Sequence, residues 1–289
     1  MSAKRDDTTA ETTGQTIRRP TVDDVRNYWD QHPLLSHELK APGTPEFFAG
    51  LDRAKREDSE RFALDFWEFN SWKGRRVLDV GCGPGWVTVQ YALGGANVDS
   101  VDLSPRTVEI ARQHAALANA QARIQVGNAE QLPFSDGEFD LVVSSGVLHH
   151  TPDTPATFRE CARVLRPGGK AKITLYRKGL AHHRLVFPLA RLAMRLVGMR
   201  HPGADMAKDS HDVDDFIRQY DGADNPVGIG YTDAEWAGLL RKAGFEVISK
   251  EVHYFPRRFL PRAHLVPAWV HRWLDRGLGT MVYFNLRKA

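Results

Sequence analysis

The chain of 289 residues contains no run of about eighteen uninterrupted apolar residues, the length a helix needs to cross a bilayer, so no transmembrane span is expected. Its first twenty residues, MSAKRDDTTAETTGQTIRRP, lack the apolar centre of a secretion signal, and a cytoplasmic protein is the expectation. Only two cysteines are present, Cys82 and Cys161, which leaves no disulfide framework to build a fold around. The histidines follow no zinc-ligand spacing, so no metal is expected; His182, His183, His201 and His211 are assigned surface or lid roles. Internal repeats are absent too. With 42% apolar and 26% charged residues the composition suits a single large domain with additions and an ample core.

The net charge of +3 conceals an asymmetry: 20 lysines and arginines stand against 12 acids from Lys170 onward, and 19 against 24 before it. Such a basic half fits an anionic substrate, a membrane surface or a solvated arginine-rich exterior.

The most informative stretch is RRVLDVGCGPGW, Arg75 to Trp86. Val77, Leu78 and Val80 form a short apolar run that stops at Gly81, Gly83 and Gly85, as a buried parallel strand does before a tight turn into a helix. Without Cβ atoms these glycines let a ligand lie against bare N–H groups near the helix N-terminus. A glycine triplet alone also fits dinucleotide-binding proteins. Two carboxylates sharpen the reading. Asp102, ending the next strand-like run from Ala96, can accept two ribose hydroxyls beside the first loop. Asp79, inside the first strand, can meet a cationic group at the other end of the ligand. A ligand with a ribose, no phosphates and a positive amino-acid end is S-adenosylmethionine (SAM).

These residues carry a family likeness. VLDVGCGPG (Val77 to Gly85), VDLSP (Val101 to Pro105), GNAEQLPF (Gly127 to Phe134), FDLVVSSGVLHH (Phe139 to His150) and LRPGGK (Leu165 to Lys170) resemble, in order and spacing, class I SAM-dependent methyltransferases, most of all the small-molecule group similar to the quinone-biosynthesis enzymes. The likeness is specific from Arg75 to Tyr176. It implies an α/β fold: a doubly wound, Rossmann-like, mostly parallel sheet with an antiparallel last strand.

The local pattern agrees with that fold. Residues 1–20 read as a disordered tail and 21–72 as an N-terminal helical cap. That cap holds a helix at Thr21–Asp30 and another over Glu46–Asn70, with Phe62, Phe66 and Phe69 on one face. Residues 73–289 read as the SAM-binding domain, with insertions at 177–231 and 256–279. Helices are expected at Trp86–Leu93, from the Ser104–Pro105 cap, from Thr154–Pro155 and from the Thr232–Glu235 capping box. Strands are expected at Ala122–Val126, Phe139–Ser145, Lys170–Tyr176, Phe245–Val252 and, closing the sheet, Thr280–Leu286. The first insertion contains a basic amphipathic helix candidate, Arg184–Met199; the second is basic and aromatic, with Trp269 and Trp273.

Ligands of doubly wound sheets bind at the carboxyl ends of the strands, where the strand order reverses. Those ends carry Gly81 to Gly85, Asp102, Asn128 to Glu130 and Ser145 to His150. The resemblance implies Gly81, Cys82 and Gly83 under the methionine and ribose, and Asp102 on the ribose hydroxyls. It also implies Leu103 on the adenine face, Asn128 and Ala129 framing the adenine, and Ser145 near the methionine. Many relatives have Asp where this chain has Asn128. Tyr28 and Trp29 become candidates to close the site or to anchor in the core. His149 and His150 are the candidates for acid–base work, since histidine titrates near neutral pH; a packing role is the alternative.

The expected activity is methyl transfer to an oxygen, nitrogen or carbon of a small biosynthetic molecule held in a closed pocket. A lipid or quinone at a membrane surface is the alternative acceptor, and a non-catalytic SAM sensor or scaffold is the alternative of another class. Nucleic acid is not an expected partner, because no Asn-Pro-Pro-Tyr-like loop follows the fourth strand and the basic residues form no stacking platform.

Overall fold

The computed structural model describes residues 19–34, 39, 41–59, 62–179, 182, 188–189, 192, 196, 213–218, 221–222, 224–257, 260 and 262–289. The expected tail lies almost wholly outside the described residues, as does most of the Arg184–Met199 helix candidate.

Seven strands form one sheet: β1 (Arg76–Val80), β2 (Asn97–Asp102), β3 (Ala122–Val126), β4 (Phe139–Ser145), β5 (Leu165–Tyr176), β6 (Phe245–His253) and β7 (Met281–Lys288). Their order is β3-β2-β1-β4-β5-β7-β6. β1 pairs in parallel with both β2 and β4, and the reversal of order between them opens a crevice at the carboxyl ends. β7 runs antiparallel to both its neighbours. An antiparallel last strand is as expected. Its pairing with β5 runs unbroken from Lys170↔Arg287 to Tyr176↔Met281, which wedges it inside and leaves β6 outermost.

The sheet is buried on both faces, as parallel sheets must be. Val77, Leu141, Val143 and Tyr283 pack with aromatic residues of the N-terminal helices. Leu78, Val80, Val142 and Ile173 pack on the opposite side with Phe158, Cys161, Trp236 and Leu240. The helices over these faces begin where their caps dictate. α4 (Trp86–Leu93) follows the left-handed Gly85, and α5 (Pro105–Leu117) is capped by Ser104, whose Oγ accepts from the Thr107 N–H at 3.0 Å. α6 (Thr154–Val164) is capped by Asp153, α7 spans Val213–Arg218, and α8 (Asp233–Lys242) opens with the reciprocal Thr232–Glu235 box. α9 covers Ala268–Leu278.

At the N-terminus, α1 (Val22–Gln31) has the second capping box, Thr21 with Asp24. The expected long helix over Glu46–Asn70 is broken. It consists of α2 (Pro45–Arg53), a π-helical turn (Ala54–Ser59), α3 (Ala63–Trp67) and a 3-10 turn (Phe69–Trp72). Glu68 sits in the left-handed region (φ 52°, ψ 42°) and ends α3. Phe66, Trp67 and Phe69 are all buried in one core. On a straight helix they would spread over more than one face, so the chain turns to bury all three. Among the described residues no helix is long and apolar enough to cross a membrane.

Candidate active site

A cavity opens at the carboxyl ends of β1, β2 and β4, lined by Gly81, Cys82, Gly83, Asp102, Leu103, Asn128, Ala129, Ser145 and His150 together with Asp79 and Trp29. Eleven of the fifteen residues singled out from the sequence thus meet in one place. The tight first loop depends on glycine. Gly81 has φ +74°, and a Cβ there would stand 2.3 Å from Val147 Cγ1.

Four of the fifteen do not line the cavity. Gly85 instead caps α4 and lies against Ala111, where a Cβ would approach within 3.1 Å. Glu130 accepts from the Asp153 N–H at 2.8 Å and so braces the start of α6. Tyr28 is buried behind Trp29, stacked on His32, and its hydroxyl donates to the Asp221 carbonyl oxygen. His149 is fully buried between His150 and Tyr176, with neither ring nitrogen hydrogen-bonded. Burial, with the neighbouring His150, pushes its pKa well below the usual histidine range, so it stays neutral. A short 3-10 turn (Leu148–His150) separates the two rings, pointing one into the core and the other at the cavity.

The donor end carries two buried carboxylates. Asp79 Oδ2 accepts from Thr88 Oγ1 at 2.7 Å, whereas its Oδ1 is buried without a hydrogen-bond partner. Burial lifts this carboxyl to about 7. An ammonium group would supply the missing donor and the missing charge together. Asp102 accepts from the Gly83 and Ser104 N–H groups, each at 3.0 Å, through different oxygens. A carboxylate offers about four acceptor sites, which leaves two for a pair of hydroxyls. Burial raises the Asp102 carboxyl against those backbone bonds. The set matches the amino-acid and ribose ends of SAM. Cys82 is buried, and burial beside Asp102 and Asp79 pushes its thiol well above the usual range, so it offers no thiolate.

Sequence reasoning missed the other end of the cavity. Asp221, from the first insertion, lines it together with Tyr176. Asp221 Oδ2 lies 3.1 Å from His150 Nε2 and accepts from the Tyr176 hydroxyl. His150 Nδ1 lies 2.6 Å from the Val227 carbonyl oxygen, which can only accept, so Nδ1 carries a proton. Burial alone would raise Asp221. The hydrogen bond and charge of His150 and the Tyr176 hydroxyl outweigh it and hold the carboxyl below its usual value. Lys55, at the π-helical turn, also lines the cavity and favours ionised Asp79. No motif announces Asp221. One signal was its place in the insertion that returns to the sheet just before Tyr231, which bridges to Arg177. His182 is buried rather than solvated, and burial near Arg177 and Lys178 lowers it to about 4. His183, His201 and His211 lie outside the described residues.

α1 closes one wall and is tied down at its C-terminal half. Asp30 Oδ1 accepts from Ser104 Oγ at 2.7 Å and from the Arg106 N–H at 3.0 Å, while Tyr28 reaches Asp221. Trp29 meets the His150 ring edge-on at 5.3 Å.

Residues 78–173 match the family described as "Methyltransferase domain". A ubiquinone biosynthesis O-methyltransferase from Xanthomonas euvesicatoria pv. vesicatoria is 33% identical over 175 residues, 60% of this chain and 64% of that enzyme. The chain therefore spans a little under two thirds of that relative's length. Among solved structures, the [4+2]-cyclase SpnF superposes with a TM-score of 0.58 at 19% identity, over 93% of this chain and 96% of that one. A protein solved in connection with conversion of a disulfide bond into a thioacetal group during echinomycin biosynthesis gives a TM-score of 0.53 at 19% identity, over 91% and 92%. At such identities the two structures speak for the fold alone. The matched sequence and the sheet order agree: residues 78–173 form a methyltransferase domain of the class I, SAM-dependent type, similar to that of the quinone-biosynthesis O-methyltransferases.

Proposed function

We propose that the protein transfers a methyl group from SAM to a hydroxyl oxygen of a small, largely apolar acceptor. The observation that carries this reading is the Asp221–His150 pair, which lines the same cavity as Asp79 and Asp102. SAM supplies the chemistry of a methyl group already activated on a sulfonium. The tasks left to the chain are alignment, exclusion of water and removal of one proton.

Asp79 binds the ammonium end and Asp102 the ribose hydroxyls, with Leu103 and Ala129 along the adenine. Asp221 Oδ1 has no hydrogen-bond partner among the described residues and serves as the oriented acceptor for the substrate hydroxyl. That oxygen would take the hydroxyl proton, with His150 held against the other carboxylate oxygen. Val227 fixes the orientation of the histidine ring and Tyr176 that of the carboxylate. Trp29, with Val25 and Leu34, supplies the apolar wall that suits an aromatic or alkyl acceptor. The relatives named for ubiquinone biosynthesis support a hydroxylated ring as its class.

Incubation with SAM and a panel of catechols and hydroxyquinone analogues tests the proposal. A product heavier by one methylene, formed in step with S-adenosylhomocysteine, is the expected result. Methylation confined to amines would contradict the assignment of oxygen as acceptor.

A further inference from the structure

α9 presents an outer face that no other described element covers. Trp269 is 68% exposed and Trp273 71%, one turn apart, and Leu265 just before the helix is 66% exposed. Large aromatic side chains seldom stand so far into solvent, whereas two on one face mark a surface that is covered in use. Arg272 and Arg276 lie on the same side of the helix, also one turn apart, and form no ion pair with any described residue. The opposite face is tied inward. His271 Nε2 meets the Phe255 carbonyl oxygen at 2.8 Å, and Asp275 accepts from the Phe255 N–H at 2.8 Å and from His253 Nδ1 at 2.6 Å. The orientation of α9 is therefore fixed by hydrogen bonds.

Charge says what would cover this face. Residues 254–279 contain five arginines and one acid, Asp275, and that acid is turned inward. Arg272 and Arg276 flank a groove that also carries Glu57, Asp65, Glu68 and Glu251, of which Glu68 and Glu251 are paired with Lys172 and His253. Tryptophan interleaved with arginine on a short surface helix suits the boundary of an anionic bilayer, where indoles sit at headgroup depth and guanidiniums meet phosphates. Location gives the arrangement a use. α9 runs into Gly279 and Met281 beside Tyr254, and both Tyr254 and Met281 line the cavity.

We propose that α9 is a peripheral docking helix for anionic lipid surfaces, seating Trp269 and Trp273 in the headgroup layer with the cavity mouth close to the bilayer. Docking stands apart from the methyl-transfer proposal, since it can hold or fail whatever the acceptor.

Co-sedimentation of the full chain with vesicles tests it. The protein should sediment with phosphatidylcholine vesicles containing phosphatidylglycerol, far less with phosphatidylcholine alone, and less again in high salt. Trp269→Ala/Trp273→Ala and Arg272→Glu/Arg276→Glu should each weaken vesicle binding about tenfold or more while leaving SAM affinity, the check on folding, unchanged. Absence of binding to anionic vesicles would overturn the proposal, as would unaltered binding by both variants. Self-association in the ultracentrifuge that the tryptophan variant abolishes, without vesicle binding, would overturn it in favour of a second copy of the chain.

Discussion

His150 Nε2 lies 3.1 Å from Asp221 Oδ2, joining the end of β4 to the insertion that follows β5. Asp221→Asn keeps the shape of this contact and removes its charge. We expect turnover to fall by about a hundredfold, the usual scale for losing a positioned proton acceptor, with SAM affinity retained by calorimetry. His150→Ala should slow turnover in the same way. His149→Leu should leave turnover within a few-fold of the parent, because that ring does not line the cavity. Equal losses from His149→Leu and His150→Ala would mean that the pair acts through packing alone.

Asp102 holds the Gly83 and Ser104 N–H groups and faces the cavity. Hydrogen bonds to a charged group contribute about 1.5–3 kcal/mol each. Loss of two ribose contacts in Asp102→Ala should therefore weaken SAM binding by about a hundredfold or more. Unchanged affinity in a titration would refute this placement of the ribose.

Asp79 yields a pH prediction. Its carboxyl stands at about 7 in the folded chain, against a usual value of 3.8, because it is buried. The folded state thus binds this proton more tightly than the unfolded state. Its contribution to stability is greatest below the unfolded value and is lost as pH rises through the folded value. Asp79→Asn should therefore stabilise the protein without SAM at pH 8, by on the order of a few kcal/mol, and the gap should close near pH 4. The same variant should gain less protection from added SAM. Thermal denaturation at both pH values, with and without SAM, reads both effects; a variant less stable than the parent at pH 8 contradicts the account.

Trp236 is fully buried, packs near Phe158 and Tyr231, and donates its indole N–H to the Tyr176 carbonyl oxygen at 2.7 Å. Trp236→Ala should cost about 3–5 kcal/mol in a denaturant titration. Part of any activity lost would follow from Tyr176, which the indole steadies beside Asp221. A cost within the range of surface substitutions would show that α8 is not anchored there.

The donor half of the site was legible because its chemistry is local. Gly81, Gly83 and Asp102 sit at strand ends that hydrophobic pattern and turn residues mark directly. The acceptor half was not legible, since Asp221 lies in a stretch without a motif and reaches the cavity only through tertiary contacts with Tyr28, His150 and Tyr176. His149 and His150 look alike as neighbours, and only the turn geometry separates a core residue from a cavity residue. The same holds for the fold. α4, α5, β3 and β4 follow their caps and apolar runs, whereas the break at Glu68 and the internal place of β7 come from packing and pairing that no local signal carries.

The most direct test supplies methyl-labelled SAM and an extract of native metabolites to the parent protein and to Asp221→Asn, with SAM binding measured on both. The account predicts label in a small-molecule product that is lost on cleavage of methyl ethers with a boron trihalide, formed rapidly by the parent and about a hundredfold more slowly by the variant. Tight SAM binding by both proteins with no labelled product from either would contradict it, and would make the domain a binder of SAM rather than a transferase.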